Sequence, residues 1–430
     1  KMQVTFTMFI PVIVLLICFV MRVPVGFSML AAAAAYLLAV GKNLGLVADS
    51  VMGSLYSSTT IIAAPLFIFT ANIMTSSKVS DYMYAFAKAI FGKVRGATAY
   101  MNILVSLIFA GMSGSAVADA AGSGLMEIEE MRKDGYDMPF SCALSSTTAV
   151  VGPIFPPSIQ MVIFAMLTGA SVGKLFMGGV IPAIIICLGF AGYVVYISHK
   201  RKYPRGKAYT AKEFLSFTWK ALPALLTPVI LLGGIYTGIV TATESGVAAA
   251  LYAILISAFA YKVMGWKELY KALSDTVKQA GMVMACLAAA FALNYVVVQS
   301  GIGVWVKELV LSTTTNKWVF MLIVNIVLLL SGMFFPTEIA TFVFTPIFVP
   351  IAVALNIDLV YFGVITSINI ILGNITPPFG FLCFITSGIT KTPLQKVFRE
   401  AMPMVIVCYA ALILFTYVPS LVTWLPSIMG

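Results

Sequence analysis

Apolar runs long enough to cross a bilayer follow one another along almost the whole chain, and two pairs of them are interrupted in the same unusual way. The runs lie at about 4–21, 24–41, 58–76, 96–111 with 116–131, 138–170, 176–198, 222–240, 242–262, 279–300, 318–334 with 337–355, 358–390 and 401–425. A helix needs about 20 residues to span a hydrocarbon core of about 30 Å. In lipid the backbone N–H and C=O groups must be satisfied within the protein, which makes helices of continuous apolar runs. Hydrophobic residues make up 61% of the chain and charged residues 10%, outside the range of soluble globular proteins. The expected fold class is therefore an all-α polytopic membrane protein.

The first unusual pair is too short. Run 96–111 holds 16 residues, about 24 Å of helix at 1.5 Å per residue, before it meets Gly111-Met112-Ser113-Gly114-Ser115-Ala116. Basic residues stand at both ends, Lys93 and Arg95 before it and Arg132 and Lys133 after the returning run. That pattern predicts a re-entrant helical hairpin with its tip at 113–115, a long amphipathic helical pair being the alternative. Run 138–170 is too long for one helix and is broken by Gly152-Pro153-Ile154-Phe155-Pro156-Pro157-Ser158. Two half-helices joined by an unwound linker are expected there, with a simple proline kink as the lesser reading.

Both constructions return in altered form. Gly332-Met333-Phe334-Phe335-Pro336-Thr337 interrupts the later short pair, and Gly373-Asn374-Ile375-Thr376-Pro377-Pro378-Phe379 interrupts run 358–390. The lead glycines lie 41 residues apart in each copy, and the copies are offset by 221 at both motifs. Two repeats are expected: 1–198, with a hairpin at about 96–133 and a broken helix at about 138–170, and 222–430, with a hairpin at about 318–355 and a broken helix at about 358–390. The basic stretch 199–221, with Pro204 and Gly206, links them. With residues 1–3 outside, 21 of the 26 basic residues fall inside, leaving Lys1, Lys42, Lys174, Lys307 and Lys317 outside and Lys78 within. This asymmetry satisfies the positive-inside rule and makes the repeats inverted. Stretches 81–91 and 266–278, charged on one face and aromatic on the other, are expected to lie in the interface.

Other classes fall away. The net charge of +10 comes from residues flanking apolar runs, so nucleic acid is not an expected partner whereas membrane lipid is. Cys18, Cys142, Cys187, Cys286, Cys383 and Cys408 are scattered singly without ligand spacing, and His199 is the lone histidine. Met21-Arg22-Val23-Pro24 leads straight into a second span, unlike a cleavable signal. Catalytic fingerprints of hydrolases, zinc proteases and nucleotide-binding enzymes are missing, so no enzyme and no catalytic residue is expected.

What remains is a set of small polar groups at tips and breaks, suited to a hard cation. Unwound carbonyls and hydroxyls supply oxygen ligands without burying a full charge. The candidates for Na+ are Gly111, Ser113, Ser115, Gly152, Phe155 and Ser158 in the first half, and Gly332, Phe334, Gly373, Thr376 and Phe379 in the second. Close helix approach is the bland alternative for each of these small residues. Half-helix starts carry partial positive charge, so Ser115, Ser158, Thr337 and Asn374 are candidate contacts for a substrate carboxylate. Asp119 lies four residues beyond Ser115, on the same helical face. It is a candidate for holding a cation, for accepting substrate hydroxyls or for capping the hairpin backbone. Glu244 reads as a turn residue, and Glu338 as a residue at a helix start.

The run Gly111 to Asp119, then Gly135-Tyr136, then Gly152 to Ser158, then Asn374-Ile375-Thr376-Pro377-Pro378, resembles the large membrane subunit of tripartite ATP-independent periplasmic (TRAP) transporters over essentially the whole chain. The resemblance implies sodium-coupled uptake of an organic acid, of the C4-dicarboxylate or sialic acid class, across a bacterial inner membrane by an elevator movement. It further implies two or more sodium sites at the tips and breaks. A periplasmic substrate-binding protein and a small four-helix membrane subunit, here a separate chain, are the implied partners. Both termini are then expected on the periplasmic side. The tips differ between halves, Ser-Gly-Ser against Phe-Phe-Pro-Thr, so identical sites are not implied. A self-sufficient sodium/carboxylate symporter or ion antiporter of related architecture, and a non-transporting scaffold, are the competing readings.

Overall fold

The computed structural model describes residues 6–57, 59–76 and 79–428, so Lys1 and Lys78 of the charge argument lie outside the described residues. Among the described residues the chain is helical throughout, its single β feature being an isolated antiparallel bridge between Arg95 and Arg205. Seven described helices are long and apolar enough to cross a membrane, from Val172–Lys200 to Leu394–Tyr417, and shorter apolar helices complete the set.

The hairpins and broken helices form where the glycine and proline clusters fall. Ala97–Ser113 turns back through Ala116–Ala121 and Ser123–Lys133, and Lys317–Phe334 turns back through Thr337–Ala354. The first returning arm is itself notched at Gly122, where a Cβ would lie 2.7 Å from the Ala118 carbonyl oxygen. Met138–Thr148, with a 3₁₀ turn at Ala149–Val151, stops at Gly152 and resumes as Ile159–Thr168; Leu359–Gly373 resumes as Phe381–Thr390. Both interruptions contain a cis Pro-Pro bond. The simple kink is excluded, because seven non-helical residues separate the half-helices in each case, 152–158 and 374–380.

Several boundaries differ from expectation. The span expected from 222 begins at Ala211, opened by Thr210 and Glu213 in a reciprocal capping box. Stretch 266–278 is not a separate surface helix: it is the start of the continuous 35-residue helix Trp266–Ser300. No proline and no glycine before Gly281 interrupts it. Two amphipathic helices were not foreseen, Gly45–Ser57 and Ile302–Thr313, and run 401–425 divides into Leu394–Tyr417 and Ser420–Ser427. Shifted by 221, Gly45–Ser57 falls on the start of the long helix, and Val79–Phe91 falls on Ile302–Thr313.

Packing divides the helices into two bodies. Ile10–Val20, Val25–Val40, Gly45–Ser57, Ala63–Ser76, Ala211–Tyr236, Ala242–Leu255 and Trp266–Ser300 pack mainly on one another and form a frame. The hairpins, the broken helices, Val172–Lys200 and Leu394–Tyr417 form a core around Phe140, Phe176, Phe320, Phe362 and Phe415, all fully buried. Gly179 lets Val172–Lys200 run directly against the Ile154 carbonyl of the first break, where any side chain would collide.

Candidate functional site

The first tip is built by glycine and capped by serine. Gly114 takes φ 61°, the left-handed region open to a residue without Cβ, and a Cβ there would strike the Pro157 carbonyl oxygen. Tip and break are thus pressed together at this point. Ser115 caps Ala116–Ala121, its hydroxyl accepting from the Ala118 N–H at 3.4 Å. The Ser113 hydroxyl donates to Asp119 Oδ1 at 2.6 Å. Asp119 is only 3% exposed, and its Oδ2 has no partner within the protein. Gly152 stands over that oxygen, since a Cβ there would lie 2.7 Å from Oδ2 and 3.3 Å from the Ser115 carbonyl carbon.

Behind the tip, the break closes on itself. The Val151 carbonyl accepts from the N–H groups of Ile154 and Phe155 at 3.0 and 2.8 Å. Ser158 caps Ile159–Thr168, accepting from the Met161 N–H at 3.1 Å and donating to the Pro153 carbonyl at 2.5 Å. Its hydroxyl is therefore committed to the local chain. Gly111 lies where a Cβ would sit 2.9 Å from Pro228 Cγ of the frame and 3.5 Å from the Phe155 ring.

The second tip touches its break backbone to backbone. A Cβ on Gly332 would strike the Ile370 carbonyl oxygen, and one on Gly373 would strike the Gly332 carbonyl carbon. Asn374 Nδ2 donates to Thr337 Oγ1 at 3.0 Å. The Thr376 hydroxyl contacts the Leu372 carbonyl and the Tyr409 hydroxyl, both at 2.7 Å. Phe334 and Phe379 are 57% and 59% exposed, with rings edge to face at 5.4 Å. Only their backbone carbonyls can therefore serve an ion.

Several side chains cross between the halves, among them Ser146 to Thr386 and Cys142 to Thr390, and one of them does so at the tips. Gln160, in the first turn of Ile159–Thr168, donates from Nε2 to Thr341 Oγ1 and to the Thr337 carbonyl, the latter at 3.5 Å. At this junction Ser115, Pro153, Gln160, Thr337 and Glu338 line a cavity of about 20 Å³, enough for a single water-sized body. The structure thus brings Ser115 and Thr337 together, with Asn374 beside them and Ser113, Asp119 and Gly152 one layer behind. Ser158, Thr376, Phe334 and Phe379 do not line this cavity. Glu244, expected in a turn, lies instead in the first helical turn of Ala242–Leu255, where it closes a capping box with the N-cap residue Thr241.

The donor set suits a hard cation. Among the described residues no three His, Cys, Asp or Glu side chains gather. What converges instead is oxygen: hydroxyls, carbonyls, and the orphaned carboxyl oxygen of Asp119 at the first tip. The second tip supplies hydroxyl, amide and carbonyl oxygens.

Three features escaped the sequence reading. Gln160 is the only strongly polar group in the first turn of an apolar half-helix, a signal that was there to be used. Tyr409 is a polar tip within the last long span. Glu127, fully buried, is reached by the hydroxyls of Ser106 and Ser145 at 3.4 and 3.3 Å, and Ser145 in turn receives Asn102 Nδ2 at 2.6 Å. It lies eight residues beyond Asp119 on the same arm, but next to Glu129 and Glu130 it reads as part of a charged hairpin end.

Comparison with known proteins agrees with this architecture. Residues 12–421 match the model of the family described as "Tripartite ATP-independent periplasmic transporter, DctM component". Over 375 residues the chain is 36% identical to the C4-dicarboxylate TRAP transporter large permease protein DctM of Pseudomonas aeruginosa, covering 86% of this chain and 87% of that protein. It is 30% identical to the sialic acid TRAP transporter large permease protein SiaM of Vibrio cholerae serotype O1, covering 94% and 95%. It is 31% identical to the sialic acid TRAP transporter permease protein SiaT of Haemophilus influenzae, covering 98% and 69%. Among solved structures, the Alcanivorax borkumensis YdaH transporter shares the fold at a TM-score of 0.63 and 12% identity, covering 87% of this chain and 88% of that one.

Proposed function

Because the chain belongs to the DctM component family of tripartite ATP-independent periplasmic transporters, we propose that it moves an organic acid across the bacterial inner membrane together with sodium, by sliding its core within its frame. It is a multi-pass transporter permease and not an enzyme. The family's tripartite assembly calls for a periplasmic binding protein and a small membrane subunit as partners. The substrate class is a C4-dicarboxylate or a sialic acid, the classes carried by the named relatives.

One observation carries the reading: in each half the tip lies in contact with the break, and Gln160 ties the two halves round a common cavity. Sodium would be held at the first tip by Ser113, Asp119 and the carbonyls near Gly152, and at the second by carbonyls between Gly332 and Thr376. When bound, it supplies positive charge that helps the site accept a carboxylate. Ser115, Thr337 and Asn374 orient that carboxylate at the half-helix starts. At about 20 Å³ the cavity is too small for an organic acid, so loading requires the hairpins to part.

The first test is thermal. Sodium is expected to raise the melting temperature of the purified chain where equimolar potassium does not, because a ligand of the folded state stabilises it by mass action. Equal shifts with both ions would remove sodium from the reading. Gln160→Ala is expected to lower stability by about 1 kcal/mol through loss of its hydrogen bonds and to slow uptake more than it slows sodium binding. Sodium titration and proteoliposome uptake measured on the same preparation check that split.

A further inference from the structure

Frame and core are joined along the chain at three places: by Val79–Phe91 with residues 92–96, by 201–210, and by Ile302–Thr313 with residues 314–316. The first two lie against each other. Arg95 and Arg205 pair as an antiparallel bridge, and the Gly96 N–H donates to the Pro204 carbonyl at 3.1 Å. The contact depends on glycine. A Cβ on Gly92 would strike the Lys207 carbonyl oxygen, and one on Gly206 would lie 2.7 Å from the Gly92 carbonyl oxygen and 2.8 Å from Ala97 Cβ.

The two flanks of this junction are fastened to different bodies. On the core side Arg201 donates to Asp137 at 3.1 Å and to both oxygens of Glu400 at 2.7 Å. The Tyr203 ring packs on Tyr136 at 4.2 Å and on Phe140 at 5.6 Å. Gly96, at φ 83°, sits against Ser198 at the end of Val172–Lys200. On the frame side Tyr209 meets Phe217 edge-on at 5.7 Å, and Phe214 lies 6.3 Å from Phe86 of the helix Val79–Phe91. Between the fastenings lies the short stretch around Pro204 and Gly206, held to 92–96 by the bridge and the glycine contacts. A cavity of about 490 Å³, lined among others by Thr98, Gly135, Arg205 and Lys207, gives it room. From Val79–Phe91, Lys88 reaches across to Glu130 at 3.1 Å and Asp134 at 3.6 Å on the core.

We propose that 92–96 and 204–207 form one paired hinge about which the core turns against the frame, with Lys88 to Glu130 and Asp134 as the latch of the arrangement seen here. Two connectors interlocked by a bridge and by glycine contacts bend together, so they confine the motion to one axis where two independent links would not. The latch pairs are partly exposed, hence weak enough to break in every cycle. This rests on the reading of the core as the moving body.

The test uses the full chain in liposomes, with its native cysteines replaced and spin labels at Leu44→Cys on the frame and Ala354→Cys on the core, both exposed. Distances are read in sodium and in choline. Two distance populations are expected for the otherwise native chain. In Gly206→Val, and independently in Gly92→Ala, the collision falls on the arrangement seen here, so the ratio of the two populations shifts about tenfold away from it while the sodium-induced thermal shift is kept. Gly192→Val, where a Cβ meets nothing within 4 Å, retains both populations. An unchanged ratio of the two populations in both hinge variants overturns the hinge. A single population in the otherwise native chain overturns instead the moving-core reading beneath it. Loss of a cooperative melting transition in both hinge variants would make the junction merely structural, and also overturns the proposal.

Discussion

Replacing Gly373 with alanine is expected to abolish uptake and to lower stability by about 3 kcal/mol, the upper end of what one forced methyl does in a packed interior. The new Cβ would collide with the Gly332 carbonyl carbon and lie 2.7 Å from the Met333 nitrogen. Both are backbone atoms, and a backbone cannot rotate away as the end of a flexible side chain can. The second tip must lift from its break, carrying Thr337 away from Asn374. Gly388→Ala is the matched comparison, since a Cβ there meets nothing within 4 Å in the neighbouring half-helix Phe381–Thr390. It is expected to be neutral or slightly stabilising, as alanine favours helix over glycine. Melting curves and uptake rates of the pair decide the matter, and equal behaviour would mean that tip and break are not held in contact.

Asp119→Ala is expected to weaken sodium binding by roughly thirtyfold, equivalent to about 2 kcal/mol for one interaction with a charged group. Asp119 brings a carboxyl to the first tip from its own hairpin, with Ser113 on one oxygen and no protein partner on the other, while Glu338 faces the tip from the second half. Asp119→Asn keeps the shape and a hydrogen-bonding group for Ser113, so it separates loss of the carboxyl from loss of packing. Comparable weakening in both variants, read from sodium-dependent melting, assigns the effect to the missing oxygen ligand. Wild-type sodium response in both would assign Asp119 to the hairpin backbone alone.

The broad plan of the molecule was legible because glycine and proline clusters cannot be accommodated inside apolar helices without a local reason. The offset shared by Gly111 with Gly332 and by Gly152 with Gly373 carried the repeated construction. Gly45–Ser57 and Ile302–Thr313 were less legible, since a helix lying beside a bundle needs only one apolar face and so lacks the continuous run that marks a span. Trp266–Ser300 was misread for the opposite reason: the composition changes along it while nothing breaks its backbone. At the site, Ser113, Asp119 and Gly152 are spread over 40 residues and meet only through the fold. Gln160 escaped because its partners, Thr337 and Thr341, lie in the other half. The Gly332 and Gly373 contact was foreseen as two neighbouring motifs, but direct apposition of backbones is a property of three-dimensional packing.

The contrast between Trp266–Ser300 and its counterpart has a mechanical meaning. In the second half one uninterrupted rod of 35 residues carries its hydrogen-bond ladder from end to end. In the first half the same stretch is jointed, with Gly45–Ser57 and Ala63–Ser76 set on either side of a 3₁₀ turn. Such a joint yields under load where an unbroken ladder resists. One flank of the frame is therefore jointed and the other continuous, so under the proposed sliding of the core the jointed flank is the one expected to bend first.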